Sequence, residues 1–275
     1  MSGLIANSMA QALRGGMMII GVPIAVACLL QWIGQKIRSR GGDFTSAVGL
    51  RFTNAYWYFV APGVVCHETG HAVGALMTGN KVIEFVPFSL DSSEHPELIG
   101  WVRHTVGHGV WGKISQLIIA SGPIWFGSIV ILLLTRLLIG REICVSYEDF
   151  FTCGEMPDVL SYFMACLRGA FSLCCEVVVG ALFSGWKTIV WMYLVFCVAS
   201  EIGMSGIDLK NAKAGLLLIL GIVLVLVALP FVGKWVVEGT TRLLPKLFLV
   251  HVLMMFAAFI NMGFLILEKI IVRIL

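Results

Sequence analysis

Charged side chains are scarce in this chain of 275 residues. Asp, Glu, Lys and Arg together make up 13% of it, whereas hydrophobic residues make up 59%. A soluble domain carries roughly 25% charged residues, so the composition excludes an ordinary soluble globular protein. The net charge of +3 is small, and no basic patch interleaved with aromatic residues accompanies it. The composition therefore predicts an integral, multi-pass membrane protein that has the lipid bilayer as a partner and binds no nucleic acid.

Long polar stretches are missing as well. The longest ones, 36–54, 81–113 and 140–158, are each too short to form the core of an independent soluble domain. The chain also lacks a phosphate-cradling Gly-rich loop and a Gly-x-Ser-x-Gly motif. We therefore expect residues 1–275 to form a single transmembrane domain with no soluble domain.

The eight cysteines show no spacing typical of a disulfide framework. Six of them lie in or beside apolar stretches, where we expect small buried hydrophobic side chains. Cys144 and Cys153 share a polar loop and could pair if it faced an oxidising compartment, but we do not expect that pair.

Apolar runs fill most of the chain, and a membrane-spanning helix needs about 20 such residues. Six runs are predicted to span: 15–34, 55–77, 114–138, 186–204, 214–232 and 247–267. A seventh run, 160–182, is long enough, but Arg168 and Glu176 interrupt it, so it either crosses or lies along the interface. The first run lacks a clear cleavage site, so we expect it to be retained. The predicted fold class is an all-α polytopic membrane protein with six transmembrane helices, or seven if 160–182 crosses.

Three ionisable residues interrupt the second run, in the stretch VVCHETGHAVG at 64–74. Ionisable groups inside a membrane span are costly and mark functional sites by default. His67 and His71 are four residues apart, so on a helix they lie one turn apart on one face, where they can bind one zinc ion. Glu68 can take a proton from a zinc-bound water and pass it to a leaving amine.

Small residues surround this motif at Gly63, Thr69, Gly70 and Gly74. A small side chain leaves room on a helix surface, so we expect other backbones to approach the motif closely at these four positions.

A catalytic zinc site takes three protein ligands and keeps one position for water. Met77 stands where a metzincin would carry its third histidine, so a metzincin site is excluded and the third ligand must come from elsewhere. Five polar residues are candidates: Glu201, Asp208, His95, His104 and His108.

Asp208 follows two glycines, Gly203 and Gly206, in the stretch SEIGMSGIDLKN. A broken helix is tolerated at membrane depth where it lines a wet cavity, and Asp208 at such a break could turn toward the metal. The alternative role for Asp208 is that of an N-cap for a helix beginning near Asn211. Glu201, seven residues earlier, is the alternative ligand.

Other residues receive simpler interpretations. Pro123 is expected to kink a helix beside the site. His104 and His108 are expected to be solvated loop residues, although a second metal site is an alternative. His251 stands alone in the last apolar run and is expected to be a hydrogen-bonded core residue.

The order of four motifs, HETGHAVGALMTGN, IGWVRH, IIASGPIWFG and SGIDLKN, resembles the site-2 protease family of intramembrane zinc metalloproteases. In that family, a membrane-associated β-hairpin, a helix opening with an Ala-Gly-Pro-like motif and a helix with an aspartate ligand follow the H-E-x-x-H helix in turn. Residues 81–88 and 99–104 could form the hairpin here, and Ser121-Gly122-Pro123 matches the Gly-Pro motif. The resemblance covers a metalloprotease core at 55–211.

The resemblance implies a Zn²⁺ ion held by His67, His71 and Asp208, with Glu68 as the catalytic base. It also implies a membrane-anchored protein or peptide substrate that is cut in or near its transmembrane segment. The family's aspartate usually lies in a Pro-rich segment, whereas the stretch SEIGMSGIDLKN around Asp208 has no proline, and the chain has no PDZ-like or nucleotide-sensing insertion.

The expected function is therefore that of an intramembrane zinc endopeptidase, a hydrolase. One alternative is a membrane metalloprotease of the prenylated-protein-processing type, which uses a glutamate as third ligand and would assign that role to Glu201. Another alternative is a non-enzymatic transporter or scaffold in which the same groups bind a passing metal ion.

Overall fold

The computed structural model describes residues 2–47, 55–90, 99–140, 145–152, 155–183, 185–229 and 232–274. Within these ranges the chain is mostly helical. Two π-helical turns lie at Met17–Gly21 and Thr135–Ile139. The nine α-helices of the described ranges are α1 Ser2–Gly16, α2 Val22–Ala47, α3 Ala55–Met77, α4 Gly109–Ala120, α5 Gly122–Leu134, α6 Val159–Phe183, α7 Trp186–Glu201, α8 Gly206–Ala228 and α9 Gly233–Ile274.

Several of these helical segments are long and apolar enough to cross a membrane. In the described part of the chain there are four: Ala10–Ile37, Gly109–Ile139, Val159–Gly180 and Lys234–Leu267. A fifth span results if Trp186–Glu201 and Gly206–Val223, which meet at 58°, are counted together. The long apolar helices are compatible with a membrane protein, but the predicted count of six or seven spans is not confirmed.

The difference in count has two causes. The runs 186–204 and 214–232, predicted as separate spans, belong to the bent pair α7 and α8, which together count as one candidate span. The run 55–77 does form a helix, α3, but it is not among the candidate spans. Its two histidines and its glutamate lower the mean hydropathy of this helix. The run 160–182, which the sequence left open, is a candidate span.

A small antiparallel sheet follows α3, as predicted. Strand β1, Val82–Val86, pairs with strand β2, Trp101–His104, and an irregularity in the register separates Val82 from Glu84. Arg103 of β2 donates to the Glu84 carboxylate of β1 at 3.1 Å. His95 belongs to the segment 91–98 between the strands, which lies outside the described residues.

Helix α3 packs against α5 and α7, while α4 packs along α8 and α2 packs along α9. The centre of α9 is fully buried, including Leu253 and Phe256. His251 of α9 is 3% exposed and shares a 2.7 Å hydrogen bond with the Tyr162 hydroxyl of α6. The prediction of a hydrogen-bonded core histidine is therefore confirmed.

Pro123 begins a helix instead of kinking one. Helix α4 ends at Ala120, Ser121 turns the chain, and Pro123 is in the first turn of α5. Proline suits this place because the first N–H groups of a helix have no partner within the helix. The predicted kink is thus a junction between two helices, within the candidate span Gly109–Ile139.

The six cysteines of the described ranges are free thiols. Cys166 and Cys197 are buried, in agreement with the expected role, whereas Cys28 and Cys175 are exposed on the protein surface. Cys144 and Cys153 lie outside the described residues.

Candidate metal centre

His67 and His71 lie on one face of α3, as their spacing predicts. Their Nε2 atoms are 3.0 Å apart, and their rings are nearly perpendicular. His71 is 8% exposed, so this pair lies at the edge of the protein interior.

Backbone carbonyls from two other helices orient the two rings. The Nδ1–H of His67 donates to the carbonyl of Glu201 in α7 at 2.7 Å, and the Nδ1–H of His71 donates to the carbonyl of Ile119 in α4 at 2.8 Å. A carbonyl oxygen can only accept, so each Nδ1 carries the proton. In a neutral imidazole, Nε2 then presents a lone pair, which is the arrangement that metal-binding histidines need.

Asp208 completes the group from α8. Its Oδ1 lies 3.3 Å from the Nε2 of His71, and its Oδ2 lies 3.6 Å from the Nε2 of His67. The N–H of Ser205 donates to Oδ2 at 2.8 Å, while the N–H of Asp208 donates to Oγ of Ser205 at 3.1 Å. This capping box holds the carboxylate in place.

The alternative role considered for Asp208, that of an N-cap, is not observed, because the N-cap of α8 is Ser205. Helix α8 begins at Gly206, earlier than the predicted start near Asn211, so Asp208 belongs to the first helical turn. One oxygen of Asp208 accepts the backbone N–H of Ser205, and the same carboxylate faces the histidines.

The convergence of these groups is electrostatically unusual. Two imidazole lone pairs and a carboxylate face one another, and three acceptors repel unless a proton or a cation lies among them. His67, His71 and Asp208 form a group that could hold a metal ion, with one ligand atom from each within 4.8 Å of the others. Within the described ranges, no other group of three or more His, Cys, Asp or Glu residues meets this condition.

The other candidate ligands lie outside this group. Glu201 contributes its backbone carbonyl to His67, while its side chain is not part of the group. His104 and His108 are not part of it either, and no second site forms around them among the described residues. His104 does line the cavity in front of the group.

Three glycines of α3 bring the neighbouring helices close enough for these contacts, as predicted. A side chain on Gly63 would collide with the carbonyl of Cys197 in α7, and one on Gly70 would lie 2.8 Å from the backbone of Gly122 in α5. At Gly74 the Cα of Ile119 would be 3.0 Å away.

Thr69, the fourth small residue of the motif, satisfies its hydroxyl within α3. Its hydroxyl donates to the carbonyl of Val65 in its own helix at 2.6 Å. Threonine commonly satisfies its hydroxyl within its own helix in this way, and the predicted close approach of another backbone at Thr69 stays a prediction.

Glu68 faces a cavity of about 660 Å³ in front of the metal-binding group. Strand β2 forms another wall of the cavity, with Trp101–His104 along it, and Gln116 and Asn211 complete the lining from α4 and α8. Gly100, just before β2, packs on Glu68, because a side chain there would lie 2.9 Å from Glu68 Cγ.

Sequence reasoning missed several parts of this centre. The carbonyls of Ile119 and Glu201 leave no trace in the sequence, since every residue has a carbonyl. Gln116 and Asn211 are ordinary polar residues until the fold brings them to the cavity. Gly100 could have been noticed as the glycine that precedes the second strand.

Comparisons of this chain with protein-family models, with curated proteins and with solved structures find no match. The resemblance to site-2 proteases therefore remains a prediction from motif order.

Proposed function

We propose that the protein is an intramembrane zinc endopeptidase whose core comprises residues 55–211. The observation that carries the proposal is a single cavity that is lined by the metal-binding group of His67, His71 and Asp208 and also by Glu68. A three-ligand site with space in front is the arrangement of catalytic zinc centres, whereas structural zinc sites are closed by four protein ligands.

The spacing of the ligand atoms suits zinc. Bonds of about 2.0–2.1 Å in a tetrahedron put ligand atoms about 3.3 Å apart. The two Nε2 atoms are 3.0 Å apart, Oδ1 of Asp208 lies 3.3 Å from the Nε2 of His71, and Oδ2 lies 3.6 Å from the Nε2 of His67. Two imidazoles and one carboxylate are also ligands that zinc accepts readily, so the donor set and the spacing support the same metal.

When bound, a zinc ion supplies a Lewis acid that polarises a carbonyl and makes a water molecule acidic near neutral pH. Glu68 follows His67 directly in α3 and lines the same cavity as the three residues that would hold the ion. In the proposed reaction this carboxylate accepts the proton of the attacking water and then delivers it to the leaving amine nitrogen. Each peptide bond cleaved consumes one water molecule, and Glu68 returns to its ionised form.

The hairpin supports an extended substrate. A helical transmembrane segment hides its peptide bonds in its own hydrogen bonds, so the segment must unwind before it can be cut. Strand β2 lines the cavity, and in the described part of the chain β1 is the one strand paired with it. An unwound substrate could therefore add to the other edge of β2 as a strand, with the hairpin associated with the membrane.

The two alternatives receive less support. The prenylated-protein-processing type needs the Glu201 side chain as third ligand, but the metal-binding group contains Asp208 and uses the Glu201 carbonyl for orientation. A transporter or scaffold would explain the metal ligands. It would not explain why Glu68 lines the same cavity as the metal ligands.

The proposal is tested by comparing wild type with Glu68→Gln. Both purified proteins are assayed for zinc content and for cleavage of membrane-anchored substrates in liposomes. The amide keeps the size of the side chain but cannot accept the proton, so we expect bound zinc and cleavage that is about 10²–10⁴-fold slower. Cleavage at the wild-type rate would refute the proposed mechanism, and zinc flux across liposomes without any cleavage would favour the transporter.

A further inference from the structure

Asn261 is a buried polar residue of α9, next to the exposed Met262. It has no exposed surface, and its Nδ2 donates to the carbonyl of Ala199 in α7 at 2.7 Å. Its Oδ1 is buried without a hydrogen-bond partner among the described residues. A buried polar atom that lacks a partner costs free energy, so packing alone would favour leucine at this position. The presence of an amide at this buried position therefore needs a reason other than packing.

The acceptor of that hydrogen bond, the carbonyl of Ala199, lies at the C-terminal end of a helix. Ala199 belongs to the last turn of α7, which ends at Glu201, before the chain bends by 58° into α8. The last four carbonyls of a helix have no donor within the helix. The carbonyl of Ala199 receives the amide of Asn261, and the carbonyl of Glu201 receives the imidazole of His67.

We infer that Asn261 is a positioning residue that orients His67 through the last turn of α7. The inference rests on the proposed role of His67 as a metal ligand. Asn261 anchors the turn at Ala199, and two residues later the same turn supplies the carbonyl that holds the Nδ1–H of His67. The Nε2 of His67 is thereby aimed at His71 and Asp208.

Loss of the Asn261 amide would remove the hydrogen bond that anchors the last turn of α7. The carbonyl of Ala199 would remain in an apolar core without a donor, and the turn would have to shift to find one. The His67–Glu201 hydrogen bond is 2.7 Å long, and a shift of about 1 Å would take it beyond hydrogen-bonding distance. Loss of such an outer partner of a metal ligand weakens metal binding about 10–100-fold.

The test compares Asn261→Leu, which keeps the volume and removes the donor, with Tyr162→Phe as a matched control. Tyr162→Phe removes a different buried hydrogen bond to α9, the one to His251, which is not part of the metal-binding group. Zinc affinity is measured by chelator competition on purified full-length protein, together with thermal unfolding. We expect zinc binding to be about 10–100-fold weaker in Asn261→Leu and nearly unchanged in Tyr162→Phe.

A second measurement uses the metal-free protein. The ¹⁵N signals of His67 report whether Nδ1 carries the proton, and we expect that signature in wild type and in Tyr162→Phe but not in Asn261→Leu. This measurement requires neither zinc nor proteolysis, so it separates a failure of this inference from a failure of the proposed function. If Asn261→Leu does not fold, Asn261→Ala takes its place, since it adds no new side-chain bulk.

The inference is overturned if the asparagine variant keeps both the His67 signature and the zinc affinity of Tyr162→Phe. A loss of thermal stability that is equal in the two variants, without a change at His67, would likewise reduce Asn261 to a packing residue.

Discussion

The imidazole of His67 donates its Nδ1 proton to the carbonyl of Glu201, 134 residues further along the chain, at a distance of 2.7 Å. This contact connects α3 to the end of α7 and leaves the Nε2 of His67 facing His71 and Asp208. The backbone and the side chain of Glu201 therefore have different roles. The backbone carbonyl orients a candidate ligand, whereas the carboxylate belongs to no metal-binding group within the described ranges.

Loss of either histidine should abolish metal binding. We expect wild type to carry about one zinc per chain, because the site offers three ligands to one ion. His67→Ala and His71→Ala should each reduce the zinc content to background in elemental analysis of purified protein. His104→Ala is the matched control, since His104 lines the same cavity but lies outside the metal-binding group. Full zinc occupancy in either of the first two variants would remove the basis of the metal site.

The two carboxylates should behave differently. Asp208→Ala removes a candidate ligand and should weaken zinc binding strongly. Glu201→Ala keeps the backbone carbonyl that holds His67, so zinc binding should be largely preserved in a chelator competition assay. The opposite result would support the prenylated-protein-processing type of protease.

Asp208→Ala also removes one half of the capping box, and Ser205→Ala controls for that loss. It takes away the hydroxyl that accepts from the Asp208 N–H but leaves the carboxylate. Loss of an N-cap costs about 0.5–2 kcal/mol of stability, so we expect lower thermal stability with zinc still bound. If Ser205→Ala loses zinc to the same extent, the effect of Asp208→Ala cannot be assigned to ligation.

Close helix packing at Gly70 should be required for stability. Gly70→Ala would put a methyl group 2.8 Å from the backbone of Gly122, so α3 and α5 would have to separate. Such overpacking typically costs about 1–3 kcal/mol, which thermal unfolding in detergent would detect. Gly221→Ala in α8 is the matched control because nothing lies within 4 Å of its new methyl group. Equal stability of the two variants would contradict the packing seen around α3.

Gly100 should affect catalysis without affecting the metal. A methyl group at Gly100 would lie 2.9 Å from Glu68 Cγ and 2.9 Å from the carbonyl of Pro87, so either Glu68 or the hairpin must move. A displacement of about 1 Å at a catalytic group can cost 10²-fold in rate. We therefore expect Gly100→Ala to retain zinc and to cleave up to about 100-fold more slowly, while Gly239→Ala, in open space on α9, cleaves normally. Unchanged cleavage by Gly100→Ala would mean that Glu68 tolerates the added group.

Much of the local structure around the centre could be predicted from short sequence patterns. The four-residue spacing of His67 and His71 predicts a shared helix face, and the strands flanking 91–98 were expected from the motif order. Small residues at Gly63, Gly70 and Gly74 indicated close helix contacts. The histidine spacing and the glycines involve residues within a few positions of one another, which is the range over which sequence patterns are informative, whereas the strands were implied by the family resemblance.

The span count was less predictable because hydropathy depends on composition, whereas spanning also depends on the path of the chain. The runs 186–204 and 214–232 were both predicted to be complete spans. In the structure, Trp186–Glu201 and Gly206–Val223 meet at 58° and together count as one candidate span. Conversely, the histidines and the glutamate of the motif in α3 lower the hydropathy of that helix, which is not among the candidate spans.

The sequence by itself determined that this chain is apolar and helical and that one helix carries two histidines and a glutamate at metal-binding spacing. Only the tertiary structure decided which distant groups complete the centre. Asp208 reaches the histidines because α8 begins at Gly206 beside α3, and the carbonyls of Ile119 and Glu201 reach their Nδ1 atoms because glycines let α4 and α7 approach closely. A carbonyl is the same in every residue, so its role depends on where the fold places it and cannot be read from the identity of the residue.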